Sequence, residues 1–197
     1  MKKAENSDTR QRILDAAITM FAKECRLQGT TRELAAKAKV NLASLNYYFR
    51  TKDKLIEEIE EIISRQIENI CQILSDKTTS PFKRLFDWGF QMMTYLLENP
   101  GIVYLWAEKR IHTKASNENA LRLILDNENN LITSLSLLSN EMDQEKLKYK
   151  AVQFFSCIVN PVVMEIGVKD NIAISIQDER VRREYIESIV TQLATKS

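Results

Sequence analysis

Three helix-start signals crowd into the stretch from Thr30 to Thr51, and that crowding limits the possible folds more than any other feature of the chain. Thr30, with Glu33 three residues on, is a capping-box pattern. Asn41 and Thr51 are competent N-caps ahead of further apolar-periodic residues. The helices between them must be short: a second carrying Leu34, Ala35 and Ala38 inward, a turn Lys39-Val40-Asn41, and a third from Leu42 to Tyr48. Upstream, a first helix is expected to start at Ser7 or Asp8 and end near Cys25, with Ile13, Leu14, Ala17, Ile18 and Phe21 on one face. Downstream, a fourth carries Leu55, Ile59, Ile62, Ile63, Ile70 and Leu74 to about Ser75. Short helices with a three-residue turn between the last two follow the helix-turn-helix plan.

Beyond Asp76 the helices lengthen. Ser80-Pro81 is an N-cap followed by an N1 proline, and Asn99-Pro100 repeats the signal. Further helices are expected from about Ser116 to Ser139, on Leu121, Leu125, Leu131, Leu135 and Leu138, and from Asp143 to about Val168, where Pro161 should kink the ladder. A loop from Asp170 to Ser175 then precedes a last helix, about Gln177 to Ala194, on Val181, Tyr185, Ile189 and Leu193. With four glycines and three prolines in 197 residues, a turn-rich β fold is disfavoured. The expectation is an all-α chain of about nine helices, divided into residues 1–54 and 55–197.

Charge divides at the same place. Residues 1–54 hold 12 Lys/Arg against 6 Asp/Glu, while the whole chain nets only +1. A basic small module on a mildly acidic body is the pattern of a nucleic-acid reader. Cys25, Cys71 and Cys157 lack metal-ligand or disulfide spacing, and no catalytic constellation assembles around His112, the only histidine. Neither enzyme activity, cofactor nor metal is expected. The N-terminus lacks an apolar signal segment and no stretch approaches a membrane span, so a cytoplasmic location is expected.

The third helix explains the module. Leu45 and Phe49 set its inward direction, which turns Tyr47 outward with Ala43 and Ser44 and leaves Asn46 and Tyr48 on the flanks. Small residues permit close approach to a DNA major groove, and an Asn can bond an adenine edge in bidentate fashion or meet water or phosphate instead. Tyrosine and serine hydroxyls suit phosphate oxygens. Lys52, in the first turn of the fourth helix, sits where an anion is favoured, and Thr31 and Arg32 open the second helix with a matching grip.

The segment TRQRILDAAITMFAKECRLQGTTRELAAKAKVNLASLNYYFRTKDKL resembles the DNA-binding domain of the TetR family of bacterial transcriptional regulators. The resemblance covers about residues 9 to 58 and implies DNA contacts at Thr31, Arg32, Asn41, Ala43, Ser44, Asn46, Tyr47, Tyr48 and Lys52. The chain departs from the family pattern at three places: Cys25 and Lys39 stand where glycine is usual, and Arg50 where Pro or Gly is common. If Cys25 and Lys39 keep positive φ, each costs on the order of 1 kcal/mol.

The resemblance further implies a larger ligand-binding and dimerisation domain, an effector that is small and apolar or amphipathic, and a homodimer through the last two helices. Two recognition helices would then face an operator about 34 Å apart. Phe86, Phe90, Met93, Trp106 and Phe155 are candidates to line the effector cavity; at helical spacing they serve equally as core. The expected function is a ligand-responsive, sequence-specific DNA-binding regulator, a repressor released by its effector. The alternatives are a TetR-fold protein acting through a protein partner and a helical enzyme. Steep salt dependence on DNA separates the first reading from both.

Overall fold

The computed structural model describes residues 2–26, 29–104, 128–167 and 175–195, with the side chains of residues 2–7, 128, 129, 166 and 167 outside the description. Every regular element among them is helical: α1 (Lys2–Ile18), a π turn (Thr19–Lys23), α2 (Thr31–Lys37), α3 (Leu42–Tyr48), α4 (Lys52–Cys71) closing in a 3-10 turn (Gln72–Ser75), α5 (Pro81–Glu98), α6 (Glu128–Ser139), α7 (Gln144–Gly167) and α8 (Glu179–Leu193). The all-α expectation holds. Trp106, His112, Leu121, Leu125 and most of the expected loop after Val168 lie outside the described residues, as does the Ile166 side chain. Among the described residues, no helix is long and apolar enough to cross a membrane. The chain forms two compact units, Met1–Ser64 with Asn99–Asn119, and Arg65–Glu98 with Ala120–Ser197.

In the first unit, α1 begins at Lys2, upstream of the Ser7 or Asp8 start that the sequence suggests. Nothing in Lys2–Asn6 stops a helix, and Asp8 pairs with Arg12 along the helix at 3.4 Å where a cap was expected. The helix then widens: Glu24 N–H donates to Thr19 O at 2.9 Å, five residues back, which makes Thr19–Lys23 a π turn. The widening puts Met20, Phe21 and Ala22, three consecutive residues, in the core beside Ile13, Leu14 and Ala17. Helical residues 101–104 begin against this turn. A Cβ on Gly101 would fall inside contact distance of Phe21 O and 2.8 Å from Ala22 O, so the close approach requires glycine.

The second unit is built around α5, which packs against α6, α7 and α8. Ser80 Oγ accepts from Lys83 N–H at 3.2 Å and Pro81 opens the helix, as read. Trp88, fully buried, lies 5.5 Å from the Phe154 ring of α7. α7 is capped by Asp143, whose Oδ1 accepts from Glu145 N–H at 2.9 Å, and it runs on through Pro161 to Gly167. α8 differs from the reading: its buried residues are Arg182, Ile186, Ile189, Val190 and Leu193, whereas Val181 and Tyr185 are only half-buried. The inward face is rotated because Arg182 is drawn in. Its Nη1 donates to Ile176 O at 2.6 Å and its guanidinium lies 5.2 Å from the Phe90 ring. A buried cation also closes the far end of α8: Lys150 Nζ donates to Leu193 O at 3.0 Å and Thr195 O at 2.8 Å, where carbonyls lack helical partners and positive charge is favoured.

Candidate nucleic-acid interface

The interface is assembled by caps. Thr30 and Glu33 close the reciprocal box, with Thr30 N–H donating to Glu33 Oε2 at 2.8 Å and Glu33 N–H to Thr30 Oγ1 at 3.2 Å. The backbone and hydroxyl of Thr30 hold the Glu33 carboxyl below its ordinary range, with the Arg26 guanidinium adding a smaller effect at 2.6 Å. The Glu33 carboxylate is thereby kept ionised and paired within the turn, and the neighbouring Arg32 stays exposed.

α2 ends in a Schellman motif. Lys39 N–H donates to Ala36 O at 3.1 Å, and Val40 N–H donates to Ala35 O at 3.0 Å. Lys39 itself has φ 55, and Cys25, ending the π turn, has φ 54. Both non-glycine residues therefore take the left-handed conformation that glycine usually occupies. The turn delivers the chain to Asn41, whose Oδ1 accepts from Ser44 N–H at 2.7 Å and so caps α3. Asn41 thus has a structural task whatever its amide group meets outside.

α3 is seven residues long, about 10 Å at 1.5 Å per residue, which fits a groove about 12 Å wide. Leu45 and Phe49 are buried beneath it; Leu42, Ala43, Asn46 and Tyr47 are exposed, Tyr47 at 74%. Ser44 and Tyr48 are half-buried on the flanks, and the Tyr47 and Tyr48 rings meet edge to face at 5.1 Å. Outward and inward sides are those expected. Thr51 Oγ1 accepts from Lys54 N–H at 3.2 Å and caps α4.

Ion pairs sort the basic residues, one along the helix at i,i+3 and two between distant segments. Lys37 pairs with Glu24 and Lys54 with Glu57, each at 2.6 Å, and Arg10 pairs with Glu58 while its guanidinium lies 5.4 Å from the Phe49 ring. Arg10 and Glu58 are 48 residues apart, so this tie between α1 and α4 has no sequence signature. Lys52 is half-buried with its ammonium 5.5 Å from the Phe21 ring. Arg32, Lys39 and Arg50 stand exposed around α3.

The cavity candidates divide. In the second unit Met93 is fully buried and Phe155 half-buried. Phe86 and Phe90 stack at 6.1 Å, and Phe90 lies 4.3 Å from the Arg183 guanidinium. Trp106 is outside the described residues.

Short capped helices, a Schellman turn and an outward polar-aromatic face over a closed core define the first unit as a helix-turn-helix module. Residues 13–59 match the family model described as bacterial regulatory proteins, tetR family. The chain is 28% identical over 91 residues to a probable HTH-type transcriptional regulator, YttP, of Bacillus subtilis, covering 44% of this chain and 43% of that protein. Over 111 residues it is 28% identical to the HTH-type transcriptional repressor NicS of Pseudomonas putida, covering 56% and 52%. The chain thus spans about half the length of the curated relatives it matches. The fold matches the crystal structure of HlyIIR, a hemolysin II transcriptional regulator, with TM-score 0.66 and 21% identity over 97% of this chain and 99% of that one. Residues 13–59 therefore carry a helix-turn-helix domain of the TetR-family type.

Proposed function

We propose that the protein is a sequence-specific DNA-binding transcriptional regulator, acting as a homodimer and repressing until a small effector binds in the helical body. The observation that carries this reading is the outward face of α3. Ala43, Asn46 and Tyr47 are exposed there, on a helix fixed from below by Leu45 and Phe49 and capped by Asn41. Small and amide side chains on that face serve base edges. Thr31, Arg32, Ser44, Tyr47, Tyr48 and Lys52, with the exposed Lys39 and Arg50, serve phosphates. In this role residues 1–54 act as the reading module and the rest as the regulatory body.

The homodimer is supported by α7. Tyr149, Val152 and Val163 are exposed at 61%, 66% and 43%, and with the half-buried Val159 they lie at spacings of three, seven and four, along one helix-pairing seam interrupted by Ser156. The outward residues of α8 are mainly polar, including Glu184, Glu187, Ser188 and Thr191, so α7 supplies the apolar part of the pairing surface.

The test is selection of bound sites from random duplexes by the full-length protein, followed by titration at several salt concentrations. A pseudo-palindromic consensus and a steep linear loss of log affinity with log salt are expected. Failure to enrich any duplex, or affinity insensitive to salt, would refute the reading in favour of a protein partner.

A further inference from the structure

Of the cations around α3, Lys52 is held differently. Arg32, Lys39 and Arg50 are exposed, whereas Lys52 is half-buried with its ammonium 5.5 Å from the centroid of the Phe21 ring. That ring is 2% exposed and belongs to the π turn Thr19–Lys23. The face of an aromatic ring is negative and attracts an ammonium within about 6 Å, most strongly where water is excluded. Lysine carries its charge on a flexible stem. Held over a ring, that stem has lost part of its rotamer freedom before any phosphate arrives.

The ring is the fixed partner of the pair. Phe21 lies in a turn whose extra residue sends Met20, Phe21 and Ala22 inward together. Its carbonyl is closed in by Gly101, where a Cβ would fall inside contact distance of Phe21 O. Gly101 and Ile102 are themselves buried, and Ile102 N–H donates to Asn99 O at 3.0 Å, so this helical start is packed in its turn. Phe21 is thus immobilised through both side chain and backbone. Lys52, at the first position of α4, adapts to it.

We propose that Phe21 is a positioning residue for DNA binding: it holds the Lys52 ammonium at the place from which it meets a backbone phosphate, so the lysine is ordered on folding and not on binding. The proposal rests on the DNA-binding reading given above and adds to it a buried residue outside the face offered to DNA.

The test uses full-length protein and the operator selected from random duplexes, with affinity measured over a range of salt. Lys52→Met should weaken every duplex about equally and lower the salt slope by about 1 per protomer. Phe21→Leu, apolar but without a ring face, should weaken the operator about 2- to 10-fold per protomer, with the salt slope unchanged because the charge is still there. In the Lys52→Met background the same change should weaken it less than about 1.5-fold, since nothing remains to position. A trifluorinated phenylalanine in place of Phe21 keeps the shape of the ring and depletes its negative face. It should reproduce the Phe21→Leu result while melting within about 4 °C of wild type, which separates positioning from packing and decides the matter alone if Phe21→Leu does not fold. Three results would overturn the assignment: Lys52→Met binds like wild type; either ring variant binds the operator like wild type; or either weakens it equally with and without Lys52. If no duplex is enriched, the DNA-binding reading falls and this one with it, whereas an enriched operator insensitive to the ring removes Phe21 alone.

Discussion

Lys39→Gly isolates the energetic burden of the turn that aims α3. Lys39 holds φ 55 and is exposed, and the Schellman bonds of Lys39 and Val40 are backbone bonds that glycine retains. An L-residue in the left-handed region costs about 1–2 kcal/mol. Glycine removes that strain but adds about 0.5–1 kcal/mol of unfolded-chain entropy. The expected net gain is therefore about 0.5–1 kcal/mol, or about 1–4 °C in melting temperature for a chain of this size. Cys25→Gly at φ 54 should give a similar gain, and the double variant roughly the sum. Lys39→Val, β-branched at positive φ, should lose more than about 1 kcal/mol. Calorimetry and denaturant midpoints measure these changes. If Lys39→Gly melts at or below wild type, or Lys39→Val is neutral, the strain argument fails. A second readout separates role from strain: if Lys39 also neutralises a phosphate, Lys39→Gly should lower the salt slope of DNA binding by about 1 while raising stability.

Lys150→Met should destabilise by about 2–3 kcal/mol in denaturant titration, since it leaves the Leu193 and Thr195 carbonyls at the end of α8 without their charged donor; a loss below about 0.5 would show that water replaces it. Glu33, Asp76 and Glu141 are held below their ordinary values by backbone or hydroxyl donors, Thr30 first for Glu33, the Thr78 hydroxyl for Asp76 and the Asp143 N–H for Glu141. Their folded-state values lie below the unfolded ones, so their contribution is present above about pH 4.5 and is lost as pH falls through the folded values. Glu33→Gln keeps the capping geometry and should flatten part of that acid limb; an unchanged limb would exclude Glu33. Tyr47→Ala should leave the melting temperature within about 1 °C, the ring being 74% exposed, yet weaken operator binding, while Asn46→Ala should relax preference at one base pair if Asn46 reads a base. Wild-type operator binding by either variant would remove that residue from the interface.

The parts legible in the sequence are those governed by neighbours along the chain. The Thr30–Glu33 box, the Asn41 cap with α3 from Leu42 to Tyr48, and the Ser80-Pro81 start all depend on bonds spanning three or four residues, so residue type at fixed spacing specifies them. The glycine preference at Cys25 and Lys39 came from the family resemblance rather than from neighbouring residues, and the backbone takes positive φ at both without glycine. Features set by tertiary contact were not readable. The π turn exists where Met20, Phe21 and Ala22 all find core, a demand no 3.6-residue pattern encodes. The rotation of α8 follows from carbonyls and a ring that receive Arg182, a residue the periodicity places outside. The Arg10–Glu58 tie and the pairing of Lys37 with Glu24 likewise depend on packing between segments.

Gly101 and the π turn also make a joint statement about descent. One extra residue in the turn at Thr19–Lys23 pushes the Phe21 and Ala22 carbonyls toward the helical start at Gly101, and only hydrogen fits in the remaining gap. Neither feature can change alone without a clash or a void. Relatives with a side chain at the position of Gly101 should therefore have a plain α-helical turn in place of Thr19–Lys23, and aligned chains should gain or lose the two together. A family member solved with both a bulky residue there and the widened turn would show that the two positions drift independently.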